Sequence, residues 1–171
     1  DTQGHIWIGT FRGLNKNNVH DYHQYFCTDD SLGLPDNQIT HLLRDSKNRF
    51  WVGTVNGVCL YTDKDNFRII PIEADNKNVR QILEDRNGRI FLNTGFQLYA
   101  YHPREEKITC VLPEISPGNA FYAQCHIAPD NNLWVMTSTG LRCYDPSTLQ
   151  LKESVALSGY PYYSYLHNNE L

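Results

Sequence analysis

The chain has 171 residues and a formal net charge of −4 at pH 7, with 15 Lys and Arg against 19 Asp and Glu. Binding to a polyanion needs clustered basic residues, so this balance argues against direct nucleic-acid binding by this segment. No apolar run reaches the length of about 18 residues that would predict a transmembrane helix.

A nine-residue phrase recurs along the chain. It is IWIGTFRGL at residues 6–14, FWVGTVNGV at 50–58, IFLNTGFQL at 90–98 and LWVMTSTGL at 133–141. The aromatic anchors of the four copies are Trp7, Trp51, Phe91 and Trp134. Their spacings are 44, 40 and 43 residues, and a period in this range indicates a solenoid, a propeller or an array.

Other positions keep the same frame. A threonine follows each anchor by three residues, at Thr10, Thr54, Thr94 and Thr137. An aliphatic residue follows by seven, at Leu14, Val58, Leu98 and Leu141, and a tyrosine follows by ten in the last three copies, at Tyr61, Tyr101 and Tyr144. Six residues before the anchor lies an aspartate in three copies, at Asp1, Asp45 and Asp85. The fourth copy has Ala128 there and Asp130 two places later. We expect this aspartate to cap a hairpin turn through its own backbone.

Each repeat contains short runs of β-branched and aromatic residues separated by turn residues, without helical periodicity. In the second repeat we predict an inner strand at 38–44, a turn at 45–49, strands at 50–54 and 58–62, and an outer strand at 67–72. Four antiparallel strands in about 43 residues make one propeller blade. The predicted fold is therefore all-β, a β-propeller of about four blades with four strands each.

The strand FWVGT has no polar face, as expected for a blade that neighbouring blades cover on both sides. Gly9 and Gly53 are expected where another backbone comes close. We therefore assign the repeated residues to the scaffold.

The string G-x-[IFL]-W-[IV]-G-T-x-x-G-[LV], preceded by GLP-x-N-x-[IV] and an aspartate, resembles the two-component regulator propeller repeat. Residues 4–14 and 33–58 carry it. The pattern erodes in the later copies, at Asn93, Gly95, Gln97, Ala128 and Met136. The resemblance implies the periplasmic sensor region of a bacterial hybrid histidine kinase, the ectodomain of an inner-membrane protein that regulates polysaccharide-utilisation genes.

The repeat opens in mid-blade at DTQGHIW and closes at NNEL, so residues 1–171 are expected to be a segment cut in mid-blade at both ends, and the resemblance implies a larger, seven- or eight-bladed propeller. Four periods could in principle also close alone as a small propeller. The expected partners are an oligosaccharide ligand, the remaining blades, kinase modules outside this chain and a second copy in a homodimer. No cofactor and no catalytic activity are expected of the segment. In isolation it is expected to be poorly stable or to associate, because terminal blades expose apolar faces.

Five cysteines are present. Cys59, Cys125 and Cys143 fall in predicted strands and are expected to act as small core hydrophobes. Cys27 and Cys110 lie near the ends of predicted outer strands, and the sequence allows either two free thiols or a disulfide. There is no C-x-x-C and no zinc-type spacing, so no metal site is predicted.

The histidines do not form a recognisable catalytic group. His20 and His23 are expected on a strand, where residues three apart point to opposite faces. His126 and His167 fall in candidate inner strands, but no nucleophile or acid partner stands at a useful spacing.

The loops of one propeller face are the candidate site, because propellers hold their scaffold in strands and their function in loops. This face should carry the connections at 33–37, 73–78, 113–122 and 158–165, together with the short turns at 11–12, 55–56, 95–96 and 138–139. Aromatic planes beside amide and guanidinium groups suit the apolar face and hydroxyl rim of a sugar. The candidate ligand-binding residues are Arg12, Asn37, Asn56, Asn119, Phe121, Tyr122, Tyr160, Tyr162 and Tyr163. Some of these tyrosines could instead pack the central channel.

Three function classes follow. The first is a non-catalytic sensor that recognises an oligosaccharide. The second is a protein-interaction scaffold, which would bind protein on the same face without a small-molecule preference. The third is a propeller lyase, which would need a convergent titratable cluster.

Overall fold

The structure is a computed structural model, and it describes residues 4–18, 20–28, 33–62, 65–115 and 123–157. Every regular element in these ranges is a β-strand. The strands form four antiparallel sheets, one for each repeat. The predicted all-β fold of propeller blades is therefore confirmed. The described residues include no helix with the length and hydropathy needed to span a membrane.

The first two blades lie in a compact unit, Asp1–Ile82. The strands of the first blade are β1 (Ile6–Thr10), β2 (Gly13–Asn17) and β3 (Tyr22–Tyr25). Those of the second are β4 (Ile39–Arg44), β5 (Phe50–Thr54), β6 (Gly57–Tyr61) and β7 (Phe67–Ile70). Within each of these blades, every strand pairs antiparallel with the next one along the chain.

The third and fourth blades, apart from the first two residues of β8, lie in a second unit, Leu83–Leu171. The strands of the third blade are β8 (Gln81–Glu84), β9 (Ile90–Asn93), β10 (Leu98–His102) and β11 (Lys107–Leu112). Those of the fourth are β12 (Gln124–Ile127), β13 (Leu133–Thr137), β14 (Gly140–Tyr144) and β15 (Leu151–Ala156). Both sheets keep the strand order of the chain.

The predicted strands of the second repeat agree closely with the structure. The strand at 50–54 is confirmed at both ends. The outer strand ends at Ile70 instead of 72 because Pro71 has no backbone N–H to donate to a ladder. Gly57, predicted in the turn, is the first residue of β6.

The core of the first unit explains why β5 lacks a polar face, since all five of its residues are buried. The residues packed together there are Leu14, Leu34, Phe50, Val52, Cys59 and Phe67. A Cβ on Gly9 would lie 2.5 Å from Cγ2 of Ile39, and one on Gly53 would lie 3.1 Å from Cγ1 of Val79. The predicted close approach at both glycines is confirmed. The approaching atoms belong to side chains, so the prediction that they belong to another backbone is wrong.

The second unit has its own core. Its buried members are Phe91, Leu98, Ile115, Ala123, Cys125, Leu133, Val135 and Tyr144. The predicted burial of Cys59, Cys125 and Cys143 is confirmed. Cys27 and Cys110 are exposed free thiols.

A buried carboxylate fixes the hairpin between β4 and β5. Asp45 Oδ1 accepts hydrogen bonds from the backbone N–H of Lys47, at 3.0 Å, and of Arg49, at 2.9 Å. Its Oδ2 accepts from Arg49 Nε at 2.6 Å and from the indole Nε1 of Trp51 at 2.8 Å. The predicted capping is therefore confirmed, and the anchor tryptophan is tied to the same carboxylate.

The third blade repeats this arrangement without the indole bond. Asp85 Oδ1 accepts from the backbone N–H of Asn87 and of Arg89, both at 2.9 Å. Oδ2 accepts from Arg89 Nε at 2.7 Å. The anchor Phe91 has no N–H to donate, but the guanidinium lies 5.5 Å from its ring centre, much as Arg49 lies 5.2 Å from the Trp51 ring.

The fourth blade keeps the turn without the buried carboxylate. Ala128 N donates to Asn132 O at 2.9 Å, and Asn131 N donates to Ala128 O at 2.8 Å. Asp130 Oδ1 accepts from Asn132 N at 2.9 Å, so the displaced aspartate replaces one of the lost bonds. The fourth turn residue has positive φ in every copy, at Gly4 (80°), Asn48 (63°), Gly88 (73°) and Asn131 (69°).

The repeated threonines close the opposite turn of each blade. Their hydroxyls donate to the carbonyl three residues later, for Thr10 at 2.8 Å, Thr54 at 2.9 Å, Thr94 at 3.2 Å and Thr137 at 3.0 Å. The third copy, with Gln97 at the usual glycine position, places positive φ at Gly95 instead. This shift accounts for its departure from the repeat pattern.

We expect Asp45→Ala to lower the free energy of unfolding of the purified chain by about 3 kcal/mol, because the buried indole N–H of Trp51 and two backbone amides of the turn lose their acceptor. Urea denaturation followed by tryptophan fluorescence measures the change. Asp130→Ala is the matched control, and its exposed turn bonds are expected to contribute about 1 kcal/mol. A loss for Asp45→Ala no larger than that of the control would contradict the role of the buried carboxylate.

Candidate functional site

The structure describes three of the nine candidate ligand-binding residues, Arg12, Asn37 and Asn56. The other six lie outside the described residues, and they are Asn119, Phe121, Tyr122, Tyr160, Tyr162 and Tyr163. His167 also lies outside them. The role of these residues stays a prediction.

Arg12 occupies the tip of the turn between β1 and β2. Its backbone N–H donates to Thr10 Oγ1 at 3.0 Å, so the repeated threonine holds the turn that presents it. Phe11 precedes it in the turn and is 82% exposed, the most exposed large apolar side chain among the described residues. The tip therefore carries a guanidinium and an exposed aromatic ring on consecutive residues.

Residues 37 and 38 connect this turn with the corresponding turn of the second blade. Gly13 N donates to Asn37 O at 2.8 Å, and Val55 N donates to Gln38 O at 3.2 Å. The exposed Asn56 follows in the second turn. The structure thus brings the three described candidates to the same end of the two blades, and we call Phe11, Arg12, Asn37 and Asn56 the tip patch.

The second unit shows the same relation between turns and connections. Ile115 N donates to Phe96 O at 2.9 Å, and Leu157 N donates to Thr139 O at 3.3 Å. Each connection therefore bonds back onto the tip turn of the blade that it leaves. This geometry places residues 37, 38, 115 and 157 against the tip turns of their blades.

Sequence reasoning missed a second feature of the first unit, an aromatic cluster formed by Trp7, Tyr25, Phe50, Tyr61 and Phe67. The Trp7 ring centre lies 4.6 Å from that of Phe50 and 4.9 Å from that of Tyr61. Tyr25 lies 5.2 Å from Phe67 in an edge-to-face arrangement. These separations are those of favourable aromatic pairs.

An ion pair completes the aromatic cluster. Asp65 Oδ1 accepts from the hydroxyls of Tyr61, at 2.6 Å, and Tyr25, at 2.7 Å. It also lies 3.3 Å from Lys16 Nζ. The ammonium of Lys16 is 5.4 Å from the ring centres of both Trp7 and Tyr61. The charge of Lys16 is therefore balanced by a carboxylate and by two aromatic faces.

The hydrogen bonds set the protonation of this cluster. The bonds from Tyr61 and Tyr25, and after them that from Lys16, outweigh desolvation and lower the pKa of Asp65 to about 2. Burial, and then the bond to Asp65, raise the pKa of both Tyr25 and Tyr61. At neutral pH the carboxylate is ionised and both phenols are protonated donors.

The sequence could not reveal this cluster, because its bonds to Tyr25 and Lys16 join residues far apart in the chain. Asp65 lies 40 residues from Tyr25 and 49 from Lys16. Only the packing of two blades brings them together. Tyr61 had been assigned to the scaffold by its place in the repeat, and nothing in the pattern singles out Asp65.

The histidine predictions fare differently. His23 lies in β3 as expected, whereas His20 lies in the preceding bend, where its backbone N–H donates to Asn18 Oδ1 at 2.8 Å. The strand prediction is therefore wrong for His20, because the asparagine side chain forms a turn there. His126 lies in β12, as predicted. Among the described residues, no three His, Cys, Asp or Glu are placed to hold a metal ion.

Comparison with known proteins is consistent with this geometry. Residues 33–56 match the family model described as Two component regulator propeller. This stretch, which includes β4, β5 and the Asp45 turn, is a two-component regulator propeller repeat. Comparison with curated proteins gives no match.

Solved structures share the fold of the propeller repeats. The extracellular domain of BT3049 of B. thetaiotaomicron, assigned to the hybrid two-component systems, is 24% identical, with a TM-score of 0.70 over 91% of this chain and 22% of its own. That of BT4673, assigned likewise, is 22% identical, with a TM-score of 0.71 over 98% of this chain and 22% of its own. The chain thus spans about a fifth of either domain. Virginiamycin B lyase of Staphylococcus aureus is 15% identical, with a TM-score of 0.68 over 92% of this chain and 53% of its own.

The aromatic cluster predicts a stability contribution that depends on pH. Because the folded pKa of Asp65, about 2, lies below the ordinary value of 3.8, the contribution is present above pH 3.8 and is lost as the pH falls toward 2. We expect the stability difference between the chain and its Asp65→Asn variant to shrink across this window. Urea denaturation at a series of pH values measures it.

Asp75→Asn, at an exposed position of the same unit, is the control for loss of one carboxylate. A difference for Asp65→Asn that stays constant from neutral pH down to 2 would contradict the assignment.

Proposed function

We propose that this chain is part of a non-catalytic extracytoplasmic sensor of a hybrid two-component system. The match of residues 33–56 to the two-component regulator propeller carries the proposal. The shared fold of two extracellular domains assigned to such systems supports it. The fold alone would not choose this function, since virginiamycin B lyase has it too.

We further propose that the ligand is an oligosaccharide and that the signal regulates polysaccharide-utilisation genes. The tip patch has the chemistry for this ligand. Phe11 offers an exposed apolar plane, and Arg12 can donate paired hydrogen bonds to a hydroxyl pair, a carboxylate or a sulfate. Asn56 adds an exposed amide. The aromatic residues at 121–122 and 160–163 are the candidates to complete the site.

The tip patch supports recognition without catalysis. Arg12 is its only ionisable member, and a guanidinium stays protonated in proteins. General acid–base chemistry needs a group that can change protonation near the working pH. The lyase alternative would therefore need residues outside the patch. The scaffold alternative would use the same exposed Phe11 and Arg12 to bind a protein.

Signal transfer follows from the hydrogen bonds of residues 37 and 38. Because these residues bond to the tip turns of both blades of the first unit, a ligand that contacts both turns would favour one arrangement of them. By linkage, the ligand must bind the signalling arrangement more tightly than the resting one. In the proposed protein, further blades, a second copy and a kinase module transmit the change from the periplasm across the inner membrane.

We expect one class of neutral, acidic or sulfated oligosaccharide to raise the melting temperature of the full-length protein in a concentration-dependent way. Arg12→Ala should weaken binding about tenfold or more, because a hydrogen bond to a charged donor is lost. Thermal unfolding across a ligand series measures both. Tyr162→Ala tests the predicted aromatic loop in the same assay.

Lys47→Ala is the matched control, since Lys47 is exposed in the turn at the far end of β5 from Asn56. The control should bind like the unmodified protein. A melting temperature that no oligosaccharide raises would overturn the sugar-sensing proposal.

A further inference from the structure

A pocket distinct from the tip patch lies in the first unit. Its volume is about 300 Å³, at the lower end of the range of about 300–1,000 Å³ for small-molecule sites. The length of β6 separates its residues Asp65 and Asn66 from Asn56 of the tip patch. The lining residues that matter here are Gln24, Tyr25, Phe26, Asp65, Asn66 and Phe67.

One wall of the pocket is aromatic. Phe67 is buried and holds Tyr25 edge-to-face at 5.2 Å. Phe26 is 46% exposed. Its ring also packs so close to Gly13 that a Cβ there would lie 3.1 Å from it. The ring is therefore supported from behind while part of it remains open to a ligand.

The polar groups of the pocket are held in position. Asp65 receives its hydrogen bonds from Lys16, Tyr25 and Tyr61 on Oδ1, so Oδ2 has no donor among the residues that the structure describes. Gln24 Nε2 donates to the buried Asn15 Oδ1 at 2.9 Å, which leaves Oε1 as an acceptor. With the Asn66 amide, these groups can accept from and donate to hydroxyls.

The charge balance selects the kind of ligand. The Asp65 carboxylate already has the Lys16 ammonium at 3.3 Å, so a second cation would gain little from it. An anion would meet the ionised carboxylate and be repelled. A neutral ligand with hydroxyls on one edge and an apolar face on the other suits both the aromatic wall and the polar groups.

We propose that this pocket binds one neutral sugar residue, with its apolar face on Phe26 and its hydroxyls on Asp65 and Asn66. The ligand class rests on the proposed sensing function, but the site is a different one. Such a pocket would hold one residue of a longer oligosaccharide, or a free monosaccharide, beside the tip patch, because Cys27 N, next to Phe26, donates to Asn37 Oδ1 at 2.7 Å. It would add affinity when both sites engage one ligand.

Calorimetric titration of the full-length protein with a neutral hexose, its 2-amino derivative and its uronic acid tests the charge assignment. We expect the neutral hexose to bind at least about tenfold more tightly than either charged form. Preference for the amino sugar or the uronic acid would overturn the assignment, and absence of binding by all three would overturn the site.

Phe26→Ala tests the location, with an expected loss of about tenfold in hexose affinity. Phe26→Trp should retain binding, because it keeps the aromatic plane. Retained binding in this variant would show that the loss in Phe26→Ala does not come from misfolding. Ile69→Ala, at an exposed apolar position of β7 outside both sites, is the matched control and should not change hexose affinity. Binding that is insensitive to Phe26→Ala would overturn the proposal.

The same variants separate this proposal from the sensing function. If an oligosaccharide stabilises the protein and Phe26→Ala has no effect on its binding, the pocket assignment fails and the sensing function stands. If the hexose binds in a Phe26-dependent way but no oligosaccharide raises the melting temperature, the pocket stands and the sensing function fails.

Discussion

A buried carboxylate between β4 and β5 is the interaction that ties the turn of the second blade to its core. Asp45 is 4% exposed, and its two oxygens accept two backbone bonds, one guanidinium bond and one indole bond. Four donors compensate the cost of removing this charge from water. The carboxylate thereby joins a local turn to Trp51, a fully buried side chain of the second blade. One residue links hairpin geometry to blade packing.

The copies of the repeat show how much of this arrangement a blade needs. The third blade loses the indole bond because its anchor is Phe91, yet it keeps the carboxylate and the guanidinium. The fourth blade loses the carboxylate and keeps only the backbone turn, with Asp130 bonding the Asn132 amide. The backbone turn is thus common to the described copies, while the side-chain bonds differ in number between them.

All five residues of β5 are buried, so little of the surface of this central strand is free to vary. The side chains that differ between repeats lie in the tip turns and connections, where Arg12 and Asn56 are exposed. The second variable region lies around Asp65, where a turn of one blade meets the outer strand of another. Recognition is expected at these two places, because the scaffold residues elsewhere are occupied by packing.

The sequence predicted the scaffold well and the candidate site incompletely, for physical reasons. Period and turn chemistry are local, so the ends of β5, the capping by Asp45 and the burial of Cys125 followed from the residues themselves. The end of β7 was predicted two residues too late, because Pro71 has no backbone N–H to donate to the strand ladder.

The cluster around Asp65 could not be predicted, because two of its partners, Tyr25 and Lys16, are 40 and 49 residues away and meet it only through blade packing. Within the predicted site, the position in the repeat correctly predicted the turns at residues 11–12 and 55–56. The fit of the aromatic candidates at 121–122 and 160–163 stays a prediction.

Hydrogen exchange at the backbone amides of Arg49 and Arg89 tests the central claim most directly, because both amides donate to a buried aspartate. The amide of Asn132, which donates to the exposed Asp130, is the internal reference. We expect larger protection factors at Arg49 and Arg89 than at Asn132, and loss of protection at Arg49 and through β5 in the Asp45→Ala protein. Equal protection at the three amides, or protection at Arg49 that survives the substitution, would contradict the claim.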